Sequence, residues 1–325
     1  MRRFFVFLWV VFMTIGSVVS AQEVDKNIPD VSLGMRAGYI QDFAENAGRF
    51  CGDGIYLNVD GKINDSFSYS WNQTIASRYV GLVTGFDGTN WLTLTYEVGD
   101  FAFSAGKDGL LVGSFEYDTA DIDSYYEMNS MFYNMIDCWQ WGASAAYMPS
   151  DAHEIILQAA NSPFSYETAS LFAYSAAWRG YWDCYESYWT ANMWQYDRGR
   201  YMKALNFGNL FYVGNFTIDL EYMTRAHALK GLFTKDFTTL IVPSYEWSWG
   251  RAFAKFCFEH VAEDLPYELA YEAGNYMLYG AGLEVYPLKE NKSVRAHAIW
   301  AADNLGLNTF NIGLTWKLEF KKEDK

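Results

Sequence analysis

From Phe310 to Phe320 apolar and polar residues alternate without a break. Phe310, Ile312, Leu314, Trp316, Leu318 and Phe320 share one face; Asn311, Gly313, Thr315, Lys317 and Glu319 share the other. Strand side chains have a period of two, so this is a strand with one greasy and one wet face. The pattern recurs at 31–41, 55–63, 66–72, 90–98, 101–107, 138–148, 153–160, 168–179, 181–196, 201–213, 215–225, 237–247, 250–260, 274–286 and 293–302. With the closing run at 308–320 that makes sixteen segments, of which 201–213 and 237–247 have ambiguous faces. No helix-period stretch of comparable length separates them, so the chain reads as one meander of antiparallel hairpins.

The connections sort by length. Every second one is short: Asn64-Asp65, Gly99-Asp100, Pro149 to Ala152, Arg179-Gly180, Gly214, Ser248-Trp249, and Pro287 to Lys292. Between them fall the longer stretches 42–54, 73–89, 108–137 and 261–273. Short turns at one end and long loops at the other are the pattern of an outer-membrane barrel. A soluble β-sandwich also alternates, but it does not sort its turns by end. The apolar set here is unusually aromatic, and Trp71, Trp91, Trp139, Trp178, Trp247, Trp300 and Trp316 lie near strand ends, as interfacial girdles require. The predicted fold is therefore all-β, an antiparallel up-and-down transmembrane barrel of about sixteen strands. A barrel of that size has a lumen too wide for side chains to fill, so it should hold water.

The front end agrees. Arg2 and Arg3 precede the apolar run FFVFLWVVFMTI and then the small residues VVSA. This predicts a cleaved signal peptide at 1–21, a barrel over 22–320, and a short charged periplasmic tail at 321–325, KKEDK. The apolar run is too short for a retained spanning helix, which needs roughly 20 residues. The formal charge of −15 becomes −17 when the two leader arginines are removed. That acidity argues against nucleic acid as a partner, since its phosphates would be repelled.

Catalytic and metal chemistry find little footing. The histidines His153, His227, His260 and His297 are far apart, and no GxSxG, HExxH or P-loop is present. Cys51, Cys138, Cys184 and Cys257 show no ligand spacing, although Cys51 and Cys138 fall near one rim, where a disulfide would be feasible. The fragment DTADID places Asp118, Asp121 and Asp123 close together but lacks calcium-loop spacing. No enzyme activity, metal or cofactor is expected.

The phrases YLNVDGKINDSFSYSWNQ, WLTLTYEVGDFAFSAGKDGLLVGSFEYD, WQWGASAAY and GAGLEVYPL…NIGLTWKLEF resemble the phosphate-selective porin O/P family, in its Bacteroidetes-type form. The resemblance runs from about Leu33 to Phe320. It implies a sixteen-stranded, homotrimeric outer-membrane porin whose third outer loop folds inward to narrow the channel. The stretch 108–137 is the third outer loop by count. Members of the family draw in phosphate with lumen lysines and arginines, whereas this stretch has no Lys, Arg or His. It carries Asp108, Glu116, Asp118, Asp121, Asp123, Glu127 and Asp137, with Lys107, the one adjacent cation, expected to line the pore. Rings of carboxylates in a narrow passage favour cations.

Strand parity also sends Arg36, Asp60, Lys62, Arg251, Lys255, Arg295, His297, Lys317 and Glu319 toward the lumen. Of these, Arg251, Lys255, Arg295, His297 and Lys317 form a candidate basic stripe. Trp316, Leu318 and Phe320, at the end of the closing strand, look like the signal read by the barrel assembly machinery. The functional expectation is a water-filled diffusion channel in outer-membrane lipid for small hydrophilic solutes or ions. The alternatives are a non-conducting adhesin or structural barrel, and an anion-selective channel as the family name implies.

Overall fold

A computed structural model describes residues 28–78, 81–82, 85–119, 122–165, 170–262, 272–289 and 292–320. The expected signal peptide at 1–21 and the expected tail at 321–325 lie outside the described residues. The sixteen barrel strands are β1 (Asp30–Asp42), β2 (Ala47–Asn64), β3 (Phe67–Ser77), β4 (Thr89–Val98), β5 (Phe101–Gly109), β6 (Trp139–Ser150), β7 (His153–Asn161) and β8 (Phe172–Trp182). They continue with β9 (Tyr185–Asp197), β10 (Arg200–Val213), β11 (Phe216–Thr224), β12 (Phe237–Trp247), β13 (Gly250–Val261), β14 (Gly274–Val285), β15 (Val294–Asp303) and β16 (Asn308–Phe320). Each pairs antiparallel with its neighbours in sequence, and β1 pairs with β16 from Val31↔Phe320 to Asp42↔Thr309. The two residues Gly81–Leu82 form a small flap on the end of β3. Among the described residues no helix is long and apolar enough to cross a membrane.

Closure follows from backbone chemistry: inside a bilayer every N–H and C=O must find a protein partner, and a closed sheet has no edge. The outer face is the apolar set of the alternation. Leu94, Phe103, Leu157, Tyr174, Met193, Leu220, Ile241, Phe256, Met277, Leu283, Ile312 and Leu314 all stand exposed on it. Aromatic rings gather in bands on this face. Toward the short-turn end Trp178 meets Trp182 and Trp189, and Tyr185 meets Trp182 and Phe211. Toward the long-loop end Phe237 bridges Tyr222 and Phe258.

Two expected connections are corrected. The first hairpin turns at 43–46, not through a loop at 42–54, because β2 begins at Ala47. Asp42 Oδ1 accepts from the amides of Ala44 and Glu45 at 2.9 and 3.1 Å, and Asn46 takes φ 50 to finish the turn. Gly48, Gly52 and Gly54 carry no side chains, so the alternation in this part of β2 was invisible. Likewise β8 and β9 turn at Asp183-Cys184 instead of Arg179-Gly180, since Trp182 pairs with Tyr185 and Arg179 with Tyr188. Arg179 is thereby a wall residue. All four cysteines are free thiols, so the rim disulfide between Cys51 and Cys138 is not formed.

The two faces of one strand should respond differently to charge. Leu314→Arg, in the middle of β16 on the outer face, is expected to cost about 2–4 kcal/mol. Asn311→Arg would place its charge on the lumen side. Urea unfolding in lipid vesicles should show the loss for Leu314→Arg.

Candidate functional site

The segment between β5 and β6 leaves the wall and crosses the lumen. It contains two short helices, α1 (Phe115–Asp118) and α2 (Met131–Met135), and a single 3-10 turn at Tyr126–Met128. No cation of its own holds it there; the wall supplies them. Lys255 Nζ pairs with Glu116, and Arg295 with Asp123. Arg78 reaches Glu127 at 2.5 Å and Arg179 reaches Asp118 at 2.7 Å. Arg36 donates to the carbonyl oxygens of Ile122 and Ser124, and its guanidinium lies 4.4 Å from the centre of the Tyr125 ring.

Wall carboxylates grip the backbone. Glu259 accepts from the amides of Met131 and Phe132 at 2.5 and 3.1 Å, meeting two N–H groups that open α2. Glu221 accepts from the Glu116 amide at 3.1 Å. Glu284 accepts from Tyr125 Oη at 2.6 Å and pairs with Arg251 at 3.3 Å. Burial holds the hydroxyls of Tyr117 and Tyr125 well above the ordinary phenol range, with the Glu284 carboxylate adding to the effect on Tyr125. Both therefore remain protonated donors, Tyr117 to the Phe132 carbonyl at 2.8 Å.

Apolar packing completes the attachment. Leu110, Val112, Tyr117, Phe132, Ile136 and Cys138 of the crossing segment bury against Trp194, Met202, Met223, Leu240, Cys257 and Leu278 of the wall. These wall residues point inward. The runs 201–213 and 237–247 looked ambiguous because Met202 and Leu240 are buried on the lumen side as well. Gly113, at φ +82, lies so close to the wall that a Cβ would sit 2.5 Å from Thr190 Oγ1.

The expected site residues are distributed as follows. Glu116, Asp118, Asp123 and Glu127 are on the crossing segment, each engaged by a wall cation. Asp108 belongs to β5 and lines a lumen cavity, while exposed Asp137 caps the Trp139 amide at 3.2 Å. Asp121 lies outside the described residues. The calcium set is therefore not assembled by Asp118 and Asp123, which each face an arginine.

Arg36, Arg251, Lys255, Arg295 and His297 do face inward, but the stripe is not free: Arg251, Lys255 and Arg295 are each matched by a carboxylate. His297 is buried beside Asn311 at 3.3 Å. Asp60 and Lys62 share the inward parity of Tyr56, whose hydroxyl meets Tyr126 of the crossing segment at 3.2 Å. Lys317 and Glu319 share the parity of buried Thr315 and pair loosely at 3.9 Å.

Lys107 is a correction. It stands opposite Leu92 and Trp141, which are both exposed on the outer face, and its amine reaches the Phe86 carbonyl. The lumen parity of β5 belongs instead to Ala102, Ser104 and Asp108. Three anchors escaped the sequence reading. Arg78 and Asp53 lie beyond the alternating parts of β3 and β2, where they join Arg36 in one ion cluster. Arg179 was hidden by its misplaced turn.

Among the described residues, two openings lie beside the crossing segment. One, of about 530 Å³, is bounded by Asp219, Glu246, Arg251, Glu284, Lys292 and Arg295 of the wall and by Glu116, Asp118 and Asp123. The other, of about 430 Å³, is bounded by Asp108, Glu154, Gln158 and Arg179 of the wall and by Asp118.

This geometry, a large β-barrel with a segment braced across its interior, can be set against known proteins. The family model described as phosphate-selective porin O and P matches residues 45–179. Over those residues, which span β2 to most of β8, the chain is similar to that family. No curated protein matches it by sequence. Among solved structures, a mutant of the Rhodopseudomonas blastica porin superposes with a TM-score of 0.58 at 11% identity, covering 90% of this chain and 100% of that one. OmpT of Vibrio cholerae, folded in vitro and in a trimer form, superposes with a TM-score of 0.61 at 12% identity, again covering 90% and 100%. Identities this low speak to the fold alone. The closed sixteen-strand antiparallel barrel is thus the porin fold, and the O/P match over its first half agrees with it.

The anchors of the crossing segment should behave as a set. Lys255→Met leaves Glu116 buried without its cation, a change that typically costs 3–5 kcal/mol. The crossing segment should then detach while the barrel persists. Protease cleavage within 110–138, with an intact heat-modifiable barrel on gels, would show it; an uncut segment would contradict it.

Proposed function

We propose that this porin is a water-filled diffusion channel for small hydrophilic solutes and ions, with a mild preference for cations. The observation that carries the reading is the lining of the larger opening. Glu116, Asp118, Asp123, Asp219, Glu246 and Glu284 line it against Arg251, Lys255, Lys292 and Arg295. A small excess of carboxylates biases a passage toward cations. The bias is mild because the acidic segment does not form the open ring that its composition suggests. Its carboxylates neutralise wall cations and are neutralised by them. The same pairing disfavours strict phosphate selectivity, since the lumen bases that would attract phosphate are already matched.

A trimer is the assembly we infer, supported by the porin fold and by the trimer form of OmpT. We also assign Trp316, Leu318 and Phe320 to the signal read by the assembly machinery. They continue the outer-face pattern to the end of β16, and Leu318 and Phe320 are exposed there. Phe320→Ala should reduce heat-modifiable barrel in outer-membrane fractions severalfold, whereas removal of residues 321–325 should leave it unchanged.

Swelling of proteoliposomes in sugars of graded size tests conduction, and reversal potentials across a KCl gradient test selectivity. Small sugars should enter, and the reversal potential should carry the cation sign. No swelling would favour a non-conducting barrel; an anion sign would overturn the selectivity. Arg295→Gln, which frees the half-exposed Asp123, should move the reversal potential further toward cations, by a few-fold in permeability ratio.

A further inference from the structure

The loop between β11 and β12 carries a feature that diffusion through the lumen does not use. Its sequence, RAHALKGLFTKD at 225–236, holds one carboxylate, Asp236, and that is fully buried against Arg225. The loop begins as a continuation of the β10–β11 ladder and then returns past the outer face of the wall at Phe233. Ala226 and Lys203 exchange backbone hydrogen bonds at 2.7 and 2.8 Å, and Lys203 Nζ donates to the His227 carbonyl at 2.9 Å. Lys203 belongs to the outer face, opposite exposed Met193. Tyr222, also on that face, donates its hydroxyl to the Phe233 carbonyl. The loop thus carries exposed Lys230 and Lys235, with Leu229 74% and Phe233 49% exposed in the same stretch.

Position and charge together identify an occupant. The patch lies directly beyond the aromatic band of Tyr222, Phe237 and Phe258, at the end of the barrel that carries the long loops. Such bands sit at the level of lipid headgroups, so the loop that joins their strands, with its exposed lysines and two exposed apolar side chains, stands at the headgroup layer. In a chain of formal charge −15 this is a local concentration of cations on the outside of the wall. We propose that the patch binds the phosphorylated headgroup of an outer-leaflet glycolipid, the lysines pairing with its phosphates and Leu229 and Phe233 packing on its upper chains. Anionic headgroups beside a membrane protein attract each nearby lysine appreciably. The assignment rests on the outer-membrane reading but not on the selectivity of the lumen.

The test uses the full barrel in phosphatidylcholine nanodiscs containing either bisphosphorylated lipid A or the same lipid without phosphates, with bound lipid counted by native mass spectrometry. Wild type should retain the phosphorylated lipid and not the dephosphorylated one. Lys230→Gln with Lys235→Gln, both exposed and remote from the crossing segment, should weaken retention roughly 30-fold. Lys62→Gln with Lys317→Gln, at the opposite end, should leave it unchanged. Equal retention by the Lys230/Lys235 variant, equal binding of the dephosphorylated lipid, or an equal loss in the opposite-end control would each overturn the proposal. Single-channel conductance of the same proteins reports the channel separately: a failed channel reading appears as absent conductance in wild type too.

Discussion

Everything in this molecule depends on the seam between β1 and β16. A bilayer offers no hydrogen bonds, so a sheet that spans it must return to its first strand or leave a row of unpaired amides in hydrocarbon. Here the two ends of the described chain meet over their whole lengths, residue for residue, without a bulge. The join is tight. Gly38 and Gly313 stand opposite each other, and a Cβ on either would come within 2.5 Å of a backbone oxygen of the other strand. Once the seam is closed, the two faces of every strand acquire separate solvents, lipid outside and water or protein inside.

The interior then poses a second problem. A segment of nearly thirty residues crosses a wet cavity and carries several carboxylates but no cation. Left alone in the lumen, such a segment would be repelled by wall acids and solvated by water. It stays because the wall offers matched partners around much of its circumference: Arg36 on β1, Arg179 on β8, Lys255 on β13 and Arg295 on β15. Breaking any one buried pair leaves a charge without compensation, which is why the anchors act together. Beneath the ions lies a dry core, with Trp194, Met202, Met223 and Phe132 each fully buried inside the barrel. The barrel therefore has apolar surface on both sides over part of its wall, lipid on one and its own folded loop on the other.

Much of this was legible in advance. The number of barrel strands, their antiparallel order and the residues facing lipid follow from a period of two, which needs no knowledge of distant contacts. The inward course of the third long connection was implied by family resemblance, and most inward charges followed from parity. Misreadings arose where parity had nothing to act on. Glycines blanked the start of β2, and an arginine-glycine pair in β8 imitated a turn. Lys107 was assigned to the pore from its place beside the acidic loop, although it shares the outward parity of Phe101 and Phe103. Strands with apolar residues on both faces looked ambiguous, although their doubled burial was itself the trace of a loop packed against them.

The sequence by itself determined the barrel, because alternation and turn length are local properties that the bilayer converts directly into a closed sheet. It also determined part of the charge inventory of the lumen. Only the tertiary structure decided what those charges do. Composition cannot tell a free carboxylate from a paired one, since Glu116 and Lys255 are brought together across 139 residues by the return of the chain through the lumen. An acidic loop and a basic wall, read separately, suggest two opposing selectivities. Brought into contact, they pair with each other and brace the loop across the barrel.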